Sequence, residues 1–269
     1  EYSVVYFALS LFIDLLLSAL FLLIIYHKNG HVFKQWRFSK KIAINLMKFA
    51  WPLALSVFLI SIHTKIDQVM IGNMLDIEQV GIYSVAVKLS DAWLFFPAIL
   101  VSTFMPYFVD LREVDKKLYQ YRLIQLYSLM FWMGVFVGLV IMLFGESIIS
   151  LLFGEVYTNA YMALVFNIWN GIFISQAIAR GIWMISENLQ IYRLYSNIIV
   201  AVLNISINIL LIPIYGIAGA AIATLITQFI GTWVISLFWK PLRQSTYDMI
   251  KSINPIYLIK FIFKNEQKY

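Results

Sequence analysis

Four ionisable residues lie within two apolar stretches of the chain that are each long enough to cross a membrane. Lys65 and Asp67 belong to the first stretch, and Lys88 and Asp91 belong to the second. Each ionisable residue at the centre of a hydrophobic span costs about 2.5–3.5 kcal/mol, so these four must pair with each other or face water. Paired charges would fix the register of two helices. Charges that face water would line a path for an ionic ligand or a proton.

The spacing of these charges allows them to meet across two antiparallel helices. At about 1.5 Å per residue, Asp67 and Lys88 both lie roughly 12 Å below the turn that connects the helices. Lys65 and Asp91 both lie roughly 15–17 Å below it. We therefore predict a cluster that spans both helices, with each aspartate near the lysine at its own depth. A purely structural ion network and a water-accessible cavity both remain open, and we favour the cavity.

Two further charges lie in other apolar stretches. Arg180 lies roughly 9 Å from the nearer end of its stretch, close enough to reach lipid headgroups. Asp14 lies near the middle of the first stretch of the chain. The embedded charges are therefore balanced. The candidate cavity cations are Lys65, Lys88 and Arg180, and the candidate acids for a charge network or for proton coupling are Asp14, Asp67 and Asp91.

Two groups of asparagines also recur at helical spacing inside apolar stretches. They are Asn167 and Asn170 in one stretch and Asn197, Asn204 and Asn208 in the next. Such amides either hydrogen-bond across helices or line a wet cavity. The sequence leaves these two interpretations open.

The composition identifies the elements that must position these groups. The chain is 62% hydrophobic and 13% charged, with a mean hydropathy of +0.82, which is far from the values of soluble domains. A membrane-spanning helix needs about 20 apolar residues, and the segments that qualify are 2–26, 49–75, 80–108, 123–145, 160–185, 193–213 and 216–239. The predicted fold is all-α, a polytopic membrane helix bundle of about seven transmembrane helices.

The distribution of Lys and Arg predicts the orientation. Sixteen of the 20 lie in the linker after the first span, in alternate turns and in the tail, which the positive-inside rule assigns to the cytoplasm. The net charge of +6 is therefore a topology signal, and no nucleic-acid partner is expected. In the last span, Gly219, Ala223, Thr227 and Gly231 share one face, a pattern that allows close helix packing.

No pattern in the sequence indicates catalysis or metal binding. The chain has no cysteine, and its three histidines are scattered, so no thiolate or histidine metal site is expected. The predicted outer loops contain few acids and no Ser/His/Asp arrangement. We expect no enzyme activity and no cofactor, with a proton or a sodium ion as the candidate coupling ion.

Four segments, FAWPLALS, KIDQVMIGNML, GIYSVAVKLSDAW and LLIPIYGIAGAAIATLIT, follow one another along the chain. In their order and spacing they resemble the second half of oligosaccharide flippases of the O-antigen and capsule type, members of the multidrug/oligosaccharidyl-lipid/polysaccharide exporter superfamily. The resemblance implies two six-helix lobes around a cavity that opens alternately to each side. It implies transport of polyprenyl-diphosphate-linked oligosaccharide across the bacterial plasma membrane.

The resemblance also implies a division of the chain. Residues 1–26 would be the last helix of the amino-terminal lobe, 27–48 a basic cytoplasmic linker, 49–239 the carboxy-terminal six-helix lobe and 240–269 a basic cytoplasmic tail. The first five helices would then be absent, so we expect a fragment. The expected partners are membrane lipid, lipid-linked oligosaccharide, the missing amino-terminal lobe and other polysaccharide assembly proteins.

Roles for the charged residues follow from the same resemblance. Lys65 and Lys88 would attract the diphosphate, and Asp67 and Asp91 would orient those cations or take up a proton. The alternatives are a drug/cation antiporter of the same superfamily, which would favour acidic and aromatic cavity residues, and a membrane-embedded glycan polymerase or acyltransferase, which would need catalytic groups.

Overall fold

The computed structural model describes residues 4–30 and 37–263, apart from the side chains at positions 4, 5, 7, 8, 11, 48, 49, 52–54, 56, 57 and 59–64. The chain divides into two compact units, Glu1–Trp51 and Pro52–Tyr269. All regular elements in the described ranges are helices. This confirms the predicted all-α class.

The first unit contains helix α1 (Val4–Lys28) and the beginning of helix α2 (Lys40–Met74). Along α1 the described side chains are almost all exposed, and many of them are Leu, Ile or Phe. Asp14 is one of these exposed residues. An apolar helix surface of this kind suits a lipid environment.

The second unit continues α2 and adds four long helices: α3 (Ile77–Val114), α4 (Lys116–Phe153), α5 (Tyr161–Ser186) and α6 (Gln190–Phe229). The turns before α3 and α4 are short, and an aspartate caps the start of each of these helices. The Asp76 carboxylate accepts from the backbone N–H of Gln79 at 2.7 Å, and Asp115 caps α4 in the same way. Consecutive helices therefore run antiparallel, with a 3-10 turn (Glu155–Ala160) between α4 and α5.

Helix α6 is a hairpin. Gly216 has φ 59° and ψ −138°, which interrupts the helix, and only glycine adopts such a backbone without strain. A Cβ atom at Gly219 would overlap the carbonyl oxygen of Leu211, and one at Gly231 would overlap Val200. The arms are thus packed closely at both glycines, against the backbone of Leu211 and against the side chain of Val200, as the small-residue pattern predicts.

After α6 the chain makes a π-helical turn (Ile230–Val234) and the short helix α7 (Ile235–Phe238). A 3-10 turn (Lys240–Leu242) then leads to α8 (Arg243–Lys251) and α9 (Pro255–Phe263). The region 240–263 is therefore helical, and α8 buries part of its surface against α4 and α5.

Four segments of the described residues are long and apolar enough to cross a membrane: Ile77–Val114, Lys116–Phe153, Glu155–Ser186 and Gln190–Phe238. The last of them contains the Gly216 hairpin and so covers two of the predicted spans. Helices α1 and α2 coincide with the other two predicted spans but include residues outside the described set. The count of seven stays a prediction.

The interior of the second unit has two apolar layers. One surrounds the turn between α2 and α3 and the Gly216 turn, with Ile71, Ile82, Tyr83, Ile149, Leu164 and Ile212 among its buried residues. The other lies at the opposite end, which we call the basic end because it carries Arg112, Lys116, Lys117 and the tail helices; it includes Phe108, Tyr119, Leu123, Tyr127 and Met249.

Candidate functional site

A cavity of about 440 Å³ opens within the second unit, and its wall is formed by α2, α3, α5, α6 and the π turn. Seven of the charged and amide residues singled out from the sequence line it: Lys65, Asp67, Asp91, Asn167, Asn170, Arg180 and Asn197. Lys88, Asn204 and Asn208 are not part of this lining. Asp14 belongs to the other unit. Charges from separate apolar stretches are thus brought to one cavity.

Asp67 lies at the centre of a hydrogen-bonded ring. Its Oδ1 accepts from the Asn208 amide at 2.6 Å, and its Oδ2 accepts from the Thr224 hydroxyl at 2.6 Å. The Asn208 amide also donates to Asn204 at 3.2 Å, and the Asn204 amide donates to Thr224 at 3.1 Å. The Tyr83 hydroxyl adds a further bond to Oδ2 at 3.0 Å. Three donors aimed at one carboxylate match its acceptor-only chemistry when ionised.

This ring corrects the predicted pairing of Asp67 with Lys88. Among the side chains that the structure describes, the ion pairs within 4.0 Å join Arg112 with Glu113, Arg112 with Glu187, and Lys251 with Asp248. Depth alone placed Asp67 and Lys88 together, but their rotation about the two helices separates them. Neutral donors on α3 and α6 bind Asp67 instead.

The position of Lys88 follows from helical geometry. The residues of α3 that line the cavity include Tyr83, Val87, Asp91 and Leu94, at steps of three and four. Lys88 follows Val87 by one residue and is rotated from it by about 100°. Its side chain is exposed, on a different surface of α3.

Arg180 is buried, with 4% of its surface exposed. Its Nη1 donates to the carbonyl oxygen of Thr232 at 3.0 Å and to the hydroxyl of Ser236 at 2.8 Å. The expected reach towards lipid headgroups is therefore wrong, because these bonds hold the guanidinium inside the bundle. Lys65 shares the cavity wall and lies within electrostatic range of Asp91.

Arg193 is a cavity residue that the sequence interpretation counted only among the turn cations, at the first residue of the predicted span 193–213. It lines the cavity together with Arg180, and its Nη1 lies beside Gly181 of α5. The signal was present in the sequence, since Arg193 precedes Asn197 by four residues and so extends the face that carries the asparagines. Tyr83 and Thr224 were also missed, because uncharged hydroxyl residues in apolar stretches give no comparable signal.

Several polar atoms of the cavity wall have no hydrogen-bond partner within the described protein. They are Asn167 Nδ2, Asn170 Oδ1, Arg180 Nε, Ser196 Oγ and Asn197 Nδ2. Buried polar groups are nearly always satisfied in native proteins, so this wall is suited to a polar ligand. In the described residues no group of three His, Asp or Glu side chains is arranged to hold a metal ion.

Comparison with known proteins is consistent with this architecture. Residues 2–112 match the polysaccharide biosynthesis protein family. The chain is 27% identical over 243 residues to the capsular polysaccharide biosynthesis protein CapF of Staphylococcus aureus. These matches support the resemblance drawn from the sequence: the chain is similar to proteins of polysaccharide biosynthesis.

The alignment with CapF covers 84% of this chain and 61% of CapF. The chain therefore spans less than two thirds of the length of this relative. No solved structure matches the chain.

Proposed function

We propose that this chain supplies one lobe of a flippase that moves polyprenyl-diphosphate-linked oligosaccharide across the bacterial plasma membrane by alternating access. The observation that carries this proposal is the cavity. Its wall combines Lys65, Arg180 and Arg193 with amide and hydroxyl groups that have no hydrogen-bond partner among the described residues. The match to a polysaccharide biosynthesis family and the likeness to CapF support a role in surface polysaccharide assembly.

The chemistry of the wall suits both parts of such a ligand. Lys and Arg bind phosphate oxygens through charge-assisted hydrogen bonds, and amide and hydroxyl groups such as Asn170 and Ser196 bind sugar hydroxyls. The cavity volume of about 440 Å³ lies within the range of about 300–1,000 Å³ typical of ligand sites. That space fits a diphosphate with its first sugars, and the remaining glycan would extend towards the second lobe.

The test compares two lysines in the full-length protein. Lys65→Ala removes a cation that lines the cavity, while Lys88→Ala removes a cation at similar depth that lies outside the cavity lining and serves as the matched control. Loss of one charge-assisted bond, worth about 1.5–3 kcal/mol, predicts a fall of roughly 10- to 100-fold in the rate of glycan export for Lys65→Ala. Lys88→Ala should retain export. Expression of both variants is checked by quantitative blotting.

Two outcomes would contradict the assignment. Normal glycan export by a variant that combines Lys65→Ala with Arg193→Gln would show that the cavity cations do not bind the phosphates. An equal loss in Lys65→Ala and Lys88→Ala would show that the exposed surface of α3, and not the cavity alone, binds the ligand.

The coupling ion is assigned in this proposal to the ring around Asp67. A proton or a sodium ion bound there competes with the bonds from Thr224 and Asn208, and so loosens α2 from the two arms of α6. In proteoliposomes with the full-length protein, Asp67→Asn should abolish the response of transport to imposed proton or sodium gradients. A gradient response that survives in Asp67→Asn would place coupling elsewhere.

If the protein were instead a drug/cation antiporter, its transport should depend on the acids of the cavity and not on the cations. Its substrates would need free carboxylates, whereas Asp67 already accepts three hydrogen bonds and shares the cavity with three cations. Dye efflux that depends on Asp67 and Asp91, with glycan export unaffected, would select the antiporter.

The proposal also places the basic end and the tail helices in the cytoplasm, as the positive-inside rule predicts.

A further inference from the structure

Helix α8 buries Ser245, Thr246, Asp248 and Met249, and Ser252 just after it is also buried. Its outer face carries two apolar side chains, Tyr247 at 52% exposed and Ile250 at 40% exposed, beside the exposed Arg243, Gln244 and Lys251. Exposed apolar side chains next to long cationic ones are typical of a helix at a membrane interface.

The buried polar side is bonded to the bundle. The Gln120 amide donates to Asp248 at 3.0 Å, and the Gln176 amide donates to Ser252 at 3.2 Å. The hydroxyls of Tyr127 and Ser245 lie 3.3 Å apart. These contacts with α4 and α5 fix the rotation of α8 about its axis, so the outward direction of Tyr247 and Ile250 is set by the fold.

Helix α9 extends the same exposed surface. Ile256, Ile259 and Phe263 are 50%, 51% and 77% exposed and follow one another at helical spacing on one face. On another side Tyr257 packs against Tyr121 of α4, with ring centroids 6.2 Å apart. The helix is thereby held to the bundle while its apolar face points away.

Four cations frame this apolar surface: Lys240, Arg243, Lys251 and Lys260, all exposed. The carboxylate of Asp248 lies 4.0 Å from Lys251 but is itself buried. An apolar surface bordered by cations is complementary to an amphiphile with a negative headgroup. A soluble acidic partner would satisfy the cations but leave the isoleucines in water.

We propose that α8 and α9 form a binding surface for anionic phospholipid at the basic end of the bundle. Tyr247, Ile250, Ile256, Ile259 and Phe263 enter the boundary between headgroups and acyl chains. The long side chains of Lys240, Arg243, Lys251 and Lys260 extend from it to the phosphates. This surface is separate from the cavity and does not depend on the transported ligand.

The depth of the surface is measured with spin labels in the chain reconstituted in lipid nanodiscs. Because the sequence contains no cysteine, Ile250→Cys and Ile259→Cys each give a single label site. Val114→Cys is the control, since Val114 is 85% exposed at the α3–α4 turn of the same end. The labels at 250 and 259 should collide with oxygen more than with a water-soluble nickel chelate. The label at 114 should show the opposite.

The lipid preference is measured with a fluorophore on Ile259→Cys and brominated lipids as quenchers. Phosphatidylglycerol should quench more than phosphatidylcholine. Each cation contributes roughly a fivefold preference near an anionic surface, so replacing the four framing cations by Gln should lower the quenching ratio at least fivefold. Replacing Lys28, Arg37, Lys40 and Lys41 by Gln, as the matched control, should leave it unchanged.

Two results would overturn the proposal. Free access of the nickel chelate to positions 250 and 259 in nanodiscs would show that the surface lies in water and awaits a protein partner. Equal quenching by the two lipids, unaffected by the four substitutions, would show apolar contact without recognition of the negative headgroup.

Discussion

The second unit contains two buried polar regions that differ in how their groups are paired. At the α8 interface the polar side chains bind each other: Gln120 with Asp248, Tyr127 with Ser245, and Gln176 with Ser252. At the cavity wall, polar atoms of Asn170, Arg180, Ser196 and Asn197 have no partner within the described protein. The contrast separates polar groups that hold the fold from polar groups that are available to a ligand.

Asp67 tests this contrast most strongly, because it lines the cavity but its carboxylate is hydrogen-bonded to other side chains of the protein. Asp67→Ala leaves the donors on Tyr83, Asn208 and Thr224 without their acceptor, which should lower the free energy of unfolding by about 3–5 kcal/mol. The measurement is the unfolding midpoint in mixed detergent micelles. Asp67→Asn, which keeps an acceptor oxygen, should lose much less. Equal losses would mean that the carboxylate charge, and not a single acceptor oxygen, holds the ring, because Asn keeps the side-chain volume of Asp.

The next largest loss of stability is expected from a substitution in the α6 hairpin, which forms one side of the cavity. In Gly219→Ala the new methyl group overlaps the backbone of Leu211, so the arms of α6 must separate, at a cost of about 1–3 kcal/mol. Gly81→Ala is the matched control, since a Cβ there meets nothing within 4 Å. It should stabilise α3 by about 0.5–1 kcal/mol. Stabilisation by Gly219→Ala would show that the arms are not in close contact.

A pair of serines compares the two regions directly. Ser245→Ala removes the contact with Tyr127 and should cost about 1 kcal/mol of unfolding free energy. Ser196→Ala removes a buried hydroxyl that has no hydrogen-bond partner among the described residues, so it should be neutral or stabilising by up to about 1 kcal/mol. Both variants are measured in the same micelles. A larger loss for Ser196→Ala would reverse the distinction between the two regions.

The smallest effect is a pH dependence of the α8 interface. Burial raises the pKa of the Asp248 carboxyl above its ordinary value of 3.8, although Gln120, Lys251 and Gln244 act in the opposite direction. A raised pKa in the folded state means that the protonated form favours docking of α8. This stabilisation is complete below the ordinary pKa and is lost as the pH rises through the raised value.

Hydrogen exchange of the α8 backbone provides the measurement. Protection relative to the rest of the bundle should decrease from acid to neutral pH in the natural chain. In Asp248→Asn it should be constant, because the amide does not titrate. A pH dependence that persists in Asp248→Asn would assign it to another group.

The sequence predicted the helices well and the side-chain partners poorly. Apolar length and the positions of Gly216, Asp76 and Asp115 determine where helices lie and where they turn, and these are local properties. The rotation of one helix against another is not local. Depth therefore placed Lys88 beside Asp67, whereas packing turned Lys88 outwards and brought Thr224 and Asn208 to the carboxylate.

Charge and periodicity each predicted part of the cavity: Lys65, Asp67, Asp91 and Arg180 among the charges, and Asn167, Asn170 and Asn197 among the amides. The face that contains Asn197, Asn204 and Asn208 also contains Arg193, which counts as a turn cation because the predicted span begins at that residue. Helix α6 begins at Gln190, so Arg193 is helical and lies in the cavity wall. The docking of α8 was not predictable in this way, because a short polar helix resembles a solvated tail until its partners on α4 and α5 are known.

The π turn at Ile230–Val234 has a consequence for the whole end of the chain. Its bond from the N–H of Ile235 to the carbonyl oxygen of Ile230 encloses one residue more than an α-helical turn does. That residue rotates everything after it by about 100° relative to an uninterrupted helix. The turn therefore sets the rotation of the tail helices relative to the hairpin of α6 that precedes it. Removing one residue there leaves both patterns intact but turns the polar side of α8 away from Gln120 and Gln176.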